Sequence, residues 1–174
     1  VLKLKKNLRL IDSSKTSFNQ VWKFNSAGNF TLIQSEDKKI FSKKDFRIVS
    51  RKKPNKSQLD NLMFAFNVCR YTKSNAIILA SNKSTIGIGS GQPSRLDSCE
   101  IAISKMKKFS KIRGEIVAAS DAFFPFVDGI EKLVQSGASV IVQPAGSIRD
   151  KEIIKFANQT NTILVFSKTR HFRH

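Results

Sequence analysis

A chain of 174 residues with 40% hydrophobic content can bury one ordinary core, and none of its apolar runs approaches the roughly 18–20 residues that cross a bilayer. Its formal charge of +18 invites a nucleic-acid interface, but residues 1–56 hold 15 of the 31 Lys and Arg and 4 of the 13 Asp and Glu, while residues 57–174 hold 16 and 9. The excess is therefore concentrated outside the expected core domain, in lysine-rich clusters (Lys3, Lys5, Lys6; Arg51, Lys52, Lys53) that flank no zinc finger, helix-turn-helix or aromatic single-strand platform.

The start, VLKLKKNLRLI, lacks the long apolar region and cleavage site of a secretory signal, so a cytosolic protein is expected. Residues 20–34, QVWKFNSAGNFTLIQ, set two apolar-rich runs around the turn residues 25–29 and predict a β-hairpin with Trp22 and Phe24 on one face. DFRIVS (45–50) is a further short strand, and RKKPNK (51–56), broken by Pro54, is a basic linker. It divides a basic N-terminal segment, 1–56, from an α/β domain, 57–174. Leu59, Leu62, Met63 and Phe66 then recur at helical spacing, with Ser57 as the expected cap and Asp60 behind it.

Beyond that helix, NAIILA (75–80) and TIGIGS (85–90) read as a strand pair around a polar turn, followed by a helix over 94–106. EIVAAS (115–120), SVIVQ (139–143) and TILVF (162–166) are strands, separated by helices over 129–136 and 149–159, the second preceded by a Ser147/Asp150 capping pattern. Strands alternating with helices imply a layered α/β fold with the site on loops at strand ends. Cys69 and Cys99 fall on separate helices without CxxC spacing and are expected in the core.

Three segments carry chemistry. In SDAFFPFVD (120–128), Phe123, Phe124 and Phe126 offer flat apolar faces, Pro125 stiffens the loop, and Asp121 and Asp128 place carboxylates at its edges, a composition suited to a planar heteroaromatic ligand. GIGSGQPSR (87–95) joins a strand to a helix through three glycines, where either an anion cradle or a simple tight turn accounts for the pattern; Arg95 just inside the helix is placed to pair with an anion. The last residues, RHFRH, carry His171 and His174 three apart, but with no third Cys or His nearby a structural role is the simpler account.

YTKSNAIILA (71–80), GIGSGQPSRLDS (87–98), SDAFFPFVDGI (120–130), IVQPAGSIRD (141–150) and VFSKTRHFRH (165–174) follow in an order and spacing that resemble the C-terminal part of the bifunctional aminoimidazole carboxamide ribonucleotide (AICAR) formyltransferase / IMP cyclohydrolase family of purine biosynthesis. The resemblance runs from Leu32 to the last residue. It implies a cytidine-deaminase-like layered α/β domain, the second of two tandem units in the family's formyltransferase region, preceded by a small β-hairpin segment. The reaction it implies is formyl transfer from 10-formyltetrahydrofolate to the 5-amino group of AICAR, with ring closure to IMP in a separate N-terminal domain.

By motif match, the resemblance implies that Asn75 and Asp128 contact the folate, Asp128 accepting from the pterin's N–H donors. It likewise implies that Arg95, Phe123, Pro125 and Phe126 line the folate and nucleotide pockets. Arg170, Phe172 and His174 match the C-terminal segment, with Arg170 binding the nucleotide. A potassium ion is implied near Ser74 and Asp121. Zinc is not expected, since the H-x-E and P-C-x-x-C signature of zinc deaminases is missing. Val127 departs from the family, which usually carries arginine there.

Attack by a poor amine nucleophile needs a base, positioning and oxyanion stabilisation. In the family a Lys-His pair in the first deaminase-like unit serves as base, and this chain contains no Lys-His dipeptide. The chain alone is therefore expected to be inactive and to need the missing N-terminal part of the same enzyme, in an assembly that the resemblance implies to be a homodimer. The alternative is a non-enzymatic module that binds a purine nucleotide or folate.

Overall fold

The computed structural model describes residues 12–15, 22–109 and 114–173, and the chain divides into two compact units, Val1–Lys38 and Lys39–His174. In the first, β1 (Trp22–Ala27) and β2 (Phe30–Ser35) pair antiparallel from Trp22↔Ser35 to Ala27↔Phe30. The turn is tighter than the five-residue loop predicted from sequence. Only Gly28 and Asn29 lie between the strands, and Gly28 takes φ +62°, the left-handed conformation such a hairpin turn demands. The register sets Trp22 and Phe24 on one face, as their spacing predicts, and both side chains are exposed.

The second unit begins ahead of the basic linker because residues 39–50 build into it. Phe41 is buried edge-on to Phe66, with ring centroids 4.6 Å apart, and β3 (Phe46–Ile48) pairs antiparallel with β8 (Ile163–Ser167). Around them lie α1 (Lys56–Cys69), β4 (Ile77–Ser81), β5 (Ser84–Gly89), α2 (Arg95–Phe109), β6 (Ile116–Ser120), α3 (Val127–Gln135), β7 (Ala138–Pro144) and α4 (Asp150–Gln159). One six-stranded sheet results, in the order β3-β8-β7-β6-β4-β5. β6, β7 and β8 run parallel, whereas β4 is antiparallel to both β5 and β6.

The inner strands are buried along their whole length, as expected for a sheet covered on both faces. Strand alternation separates two cores. Ile77, Leu79, Ile141 and Leu164 pack with Cys99, Leu133 and Ile153 from α2, α3 and α4, while Ile78, Val117, Val142 and Val165 pack with Leu62, Phe66 and Cys69 from α1. Both cysteines are buried and unbridged, as their spacing predicts.

Two local readings need correction. The cap of α1 is Asn55, not Ser57: its side chain accepts from the Gln58 N–H at 2.8 Å and Gln58 answers to the Asn55 N–H at 2.8 Å, a reciprocal box that frees the helix to start one residue after Pro54 and Asn55. Its buried seam is also turned from the one the apolar spacing marked. Leu59 and Met63 are half-buried, and Gln58 and Asn61 are buried instead. Both polar groups are satisfied, Gln58 donating to Glu115 at 2.9 Å and Asn61 accepting from the Lys83 N–H at 2.6 Å. Among the described residues, no helix is long and apolar enough to cross a membrane.

Candidate functional site

The carboxyl ends of the parallel strands β6, β7 and β8 share one edge of the sheet, and β4 begins there because it runs opposite to β6. Ile77 pairs with Ser120, and the Asp121 N–H donates to the Ala76 carbonyl at 3.2 Å. The segments around Asn75 and Asp121 are thus brought side by side. A change of strand direction at this edge leaves a crevice between neighbouring loops, where α/β sheets bind ligands.

A cleft of about 400 Å3 opens at this place, lined by Asn75, by Pro93–Leu96 at the start of α2, and by Phe124–Phe126, Asp128 and Gly129. Five residues named from the sequence therefore converge: Asn75, Arg95, Pro125, Phe126 and Asp128. Pro125, Phe126 and Asp128 are exposed to it, whereas the Phe124 ring is buried in the core behind. Phe126 offers a flat apolar face, and Asp128, whose Oδ1 accepts from the Gly129 N–H at 2.7 Å, is an acceptor at its edge.

Asn75 is held from both sides. Its side-chain amide donates to the Gln92 and Pro93 carbonyls at 2.9 Å each, and its own carbonyl accepts from Ser98 Oγ at 2.8 Å. Ser94 Oγ accepts from the Leu96 N–H at 3.1 Å, capping α2. The glycine-rich approach to that helix serves packing. A methyl group at Gly87 would lie 2.2 Å from the Ala102 carbonyl oxygen and one at Gly89 would lie 1.8 Å from that of Ser98, so the two glycines let β5 press against the α2 backbone. Gly91 takes φ +69°, and its N–H donates to the Lys73 carbonyl at 2.8 Å. The loop thus makes the tight turn that is one of the two accounts open from the sequence.

Arg95 meets an anion, but an internal one. Its guanidinium is 10% exposed; Nη2 donates to Asp121 Oδ1 at 2.7 Å and Nε to Ser120 Oγ at 2.9 Å. Ser74 Oγ donates to the other carboxylate oxygen of Asp121 at 2.6 Å. Ser74 and Asp121 do come together, as the resemblance implies, with one hydrogen bond on each Asp121 carboxylate oxygen and the Arg95 guanidinium set against its charge.

Three other residues named from sequence take different places. Phe123 is half-buried and outside the cleft's lining, whereas Phe124 borders it from the core behind. Arg170 and Phe172 are also outside its lining and stack on each other, with the guanidinium 4.6 Å from the ring centroid. His174 lies outside the described residues. The tail that carries them is nevertheless joined to the site's floor. The His171 N–H donates to the Asp121 carbonyl at 2.9 Å, the Ser74 N–H to the Arg173 carbonyl at 2.9 Å, and the Arg173 N–H to Ser74 Oγ at 3.2 Å. His171 is buried between the Phe41 and Phe66 rings, at 4.8 and 4.9 Å.

Sequence reasoning missed Pro93, Ser94 and Leu96, whose signal was the helix start they share with Arg95. Chemically the cleft can stack a flat ring on Phe126 and accept hydrogen bonds at its rim. Cys99, behind Gly129, is no nucleophile, because burial pushes its thiol up to about 12.

A family model described as the AICARFT/IMPCHase bienzyme matches residues 1–105. The bifunctional purine biosynthesis protein PurH of Chlorobium phaeobacteroides (strain BS1) is 40% identical over 174 residues, 100% of this chain and 33% of that protein. The protein of the same name from Polynucleobacter asymbioticus is 43% identical over 171 residues, 98% of this chain and 32% of that one. The chain thus spans about a third of the length of the curated relatives it matches.

Proposed function

The chain belongs to the AICARFT/IMPCHase bienzyme family, and from that premise we propose that it helps hold 10-formyltetrahydrofolate and AICAR for formyl transfer in the formation of IMP. The observation that carries this reading is the convergence of Asn75, Arg95, and Phe126 with Asp128 on one cleft from three separate stretches of chain. The Phe126 face is suited to a planar pterin, and the exposed Asp128 carboxylate to the ring's N–H donors. Arg170 and Phe172, on a tail bonded to Ser74 and Asp121, stand for the nucleotide side of the same site.

The six-stranded unit is read as the second deaminase-like unit of the formyltransferase region. Its antiparallel β4–β5 hairpin, followed by three parallel strands with helices between, supports that reading. Proton removal from the attacking amine falls to a Lys-His segment in the remaining two thirds of the enzyme, and the assembled protein is a homodimer. The polypeptide alone binds ligand without turning it over.

The test has two arms. Formyl transfer from 10-formyltetrahydrofolate to AICAR should be absent with this polypeptide and present with the full-length enzyme; turnover by the polypeptide would refute the missing-base argument. By calorimetry, Asp128→Ala should weaken 10-formylfolate binding by about tenfold or more, the worth of a hydrogen bond to a charged group. Equal affinities would remove Asp128 from the site.

A further inference from the structure

Arg149 caps the N-terminus of α4, and its side chain makes no capping bond there. At that end of a helix a cation meets the positive pole of the dipole, and Ser, Asp or Asn would be the stabilising choice. The capping bonds come from its neighbours instead: Ser147 Oγ accepts from the Arg149 N–H at 3.2 Å, and the Asp150 carboxylate accepts from the Gly146 and Ser147 N–H groups at 2.9 and 3.3 Å, so the Arg149 side chain takes no part in the cap. Its partner is Phe126. The Arg149 guanidinium lies over the Phe126 ring, 4.7 Å from its centroid, and the ring is 51% exposed and lines the cleft.

A guanidinium stacked by its flat face keeps its N–H edge available for partners in its own plane. Here Nη1 reaches Glu152 Oε2 at 3.4 Å, a long contact between two half-exposed side chains. Among the described residues the cleft's lining contains a single basic residue, Arg95, and it is paired with the Asp121 carboxylate. A ligand with an anionic end therefore meets its countercharge at the rim.

We propose that Arg149 is a specificity-determining residue of the cleft, held against Phe126 so that its guanidinium edge receives a carboxylate or phosphate of the bound ligand. The inference rests on the folate and AICAR reading given above, since each of those ligands carries such an anion.

The experiment uses two matched pairs of probes on the 174-residue chain: 10-formylfolate against its α,γ-diamide, and AICAR against its dephosphorylated riboside. Arg149→Met keeps the length and stacking bulk and removes the charge, and Arg149→Lys restores charge without the planar fork. Calorimetric titration should find the anionic member of one pair weakened about fivefold or more by Arg149→Met, toward the affinity of its neutral analogue. The neutral member should be unaffected, and Arg149→Lys should recover part of the loss. The pair that responds identifies the anion as carboxylate or phosphate. Equal weakening of both members, or no change in either pair, would overturn the proposal and leave the folate and AICAR reading standing. Failure of wild-type chain to bind any of the four probes would overturn that reading and this inference with it.

Discussion

Arg95 Nη2 lies 2.7 Å from Asp121 Oδ1, and the Asp121 side chain is fully buried. The pair links the first turn of α2 to the end of β6, directly behind the cleft. Ser74 and Ser120 add bonds to its two ends, so each charge has a second protein partner. An ion pair of this kind adds little compared with apolar packing, but losing one partner strands the other in the interior.

Asp121→Ala is accordingly expected to destabilise the protein by about 3–5 kcal/mol in urea denaturation. Arg95→Met combined with Asp121→Ala should cost less than the two single changes added together. Strict additivity would mean that the two groups do not interact.

Gly89→Ala is expected to cost about 3 kcal/mol, at the upper end of overpacking substitutions. The added methyl meets the Ser98 carbonyl, a backbone atom that cannot swing aside. Gly28→Ala in the hairpin meets no atom within 4 Å and is penalised only through its φ of +62°, so its cost should be about 1 kcal/mol. Thermal unfolding of the two variants measures the difference.

Asn55→Ala should remove about 1 kcal/mol through loss of the α1 cap, whereas Ser57→Ala should be near neutral. Equal losses would return the cap to Ser57.

Asp45 accepts from Lys39 Nζ at 2.8 Å and from the Ser42 N–H at 2.9 Å, and these bonds hold its carboxyl down at about 2. A depressed folded-state value stabilises fully above the unfolded value near 4, and the contribution is lost as pH falls through about 2. NMR titration should find Asp45 still charged at pH 3. Lys39→Met should move its titration upward.

Burial raises both thiols, Cys99 to about 12 and Cys69 also well above the usual range. At pH 8 a disulfide exchange reagent should label neither in the native protein and both in urea. Fast labelling of the folded chain would contradict their placement in the core.

Element order was legible in the sequence to within a few residues, because the inner strands are short apolar runs and the helices carry a 3.6-residue repeat. The cap of α1 was not, since Ser57 and Asn55 are both good caps and Gln58 decided between them. The cleft was half legible. Asn75, Pro125, Phe126 and Asp128 were named from their motifs, but which of the adjacent rings Phe123 and Phe124 would face it depends on how the loop leaves β6.

By itself the sequence determined an α/β domain, two buried cysteines, the aromatic loop and the membership of a family. Tertiary structure decided that Arg95 pairs with Asp121, and that Arg149 stands over the cleft's exposed ring. Each of these is a contact between residues more than twenty positions apart. Local periodicity carries the shape of an element, whereas a partner that far along the chain is chosen by strand order and direction, which emerge only when the sheet assembles.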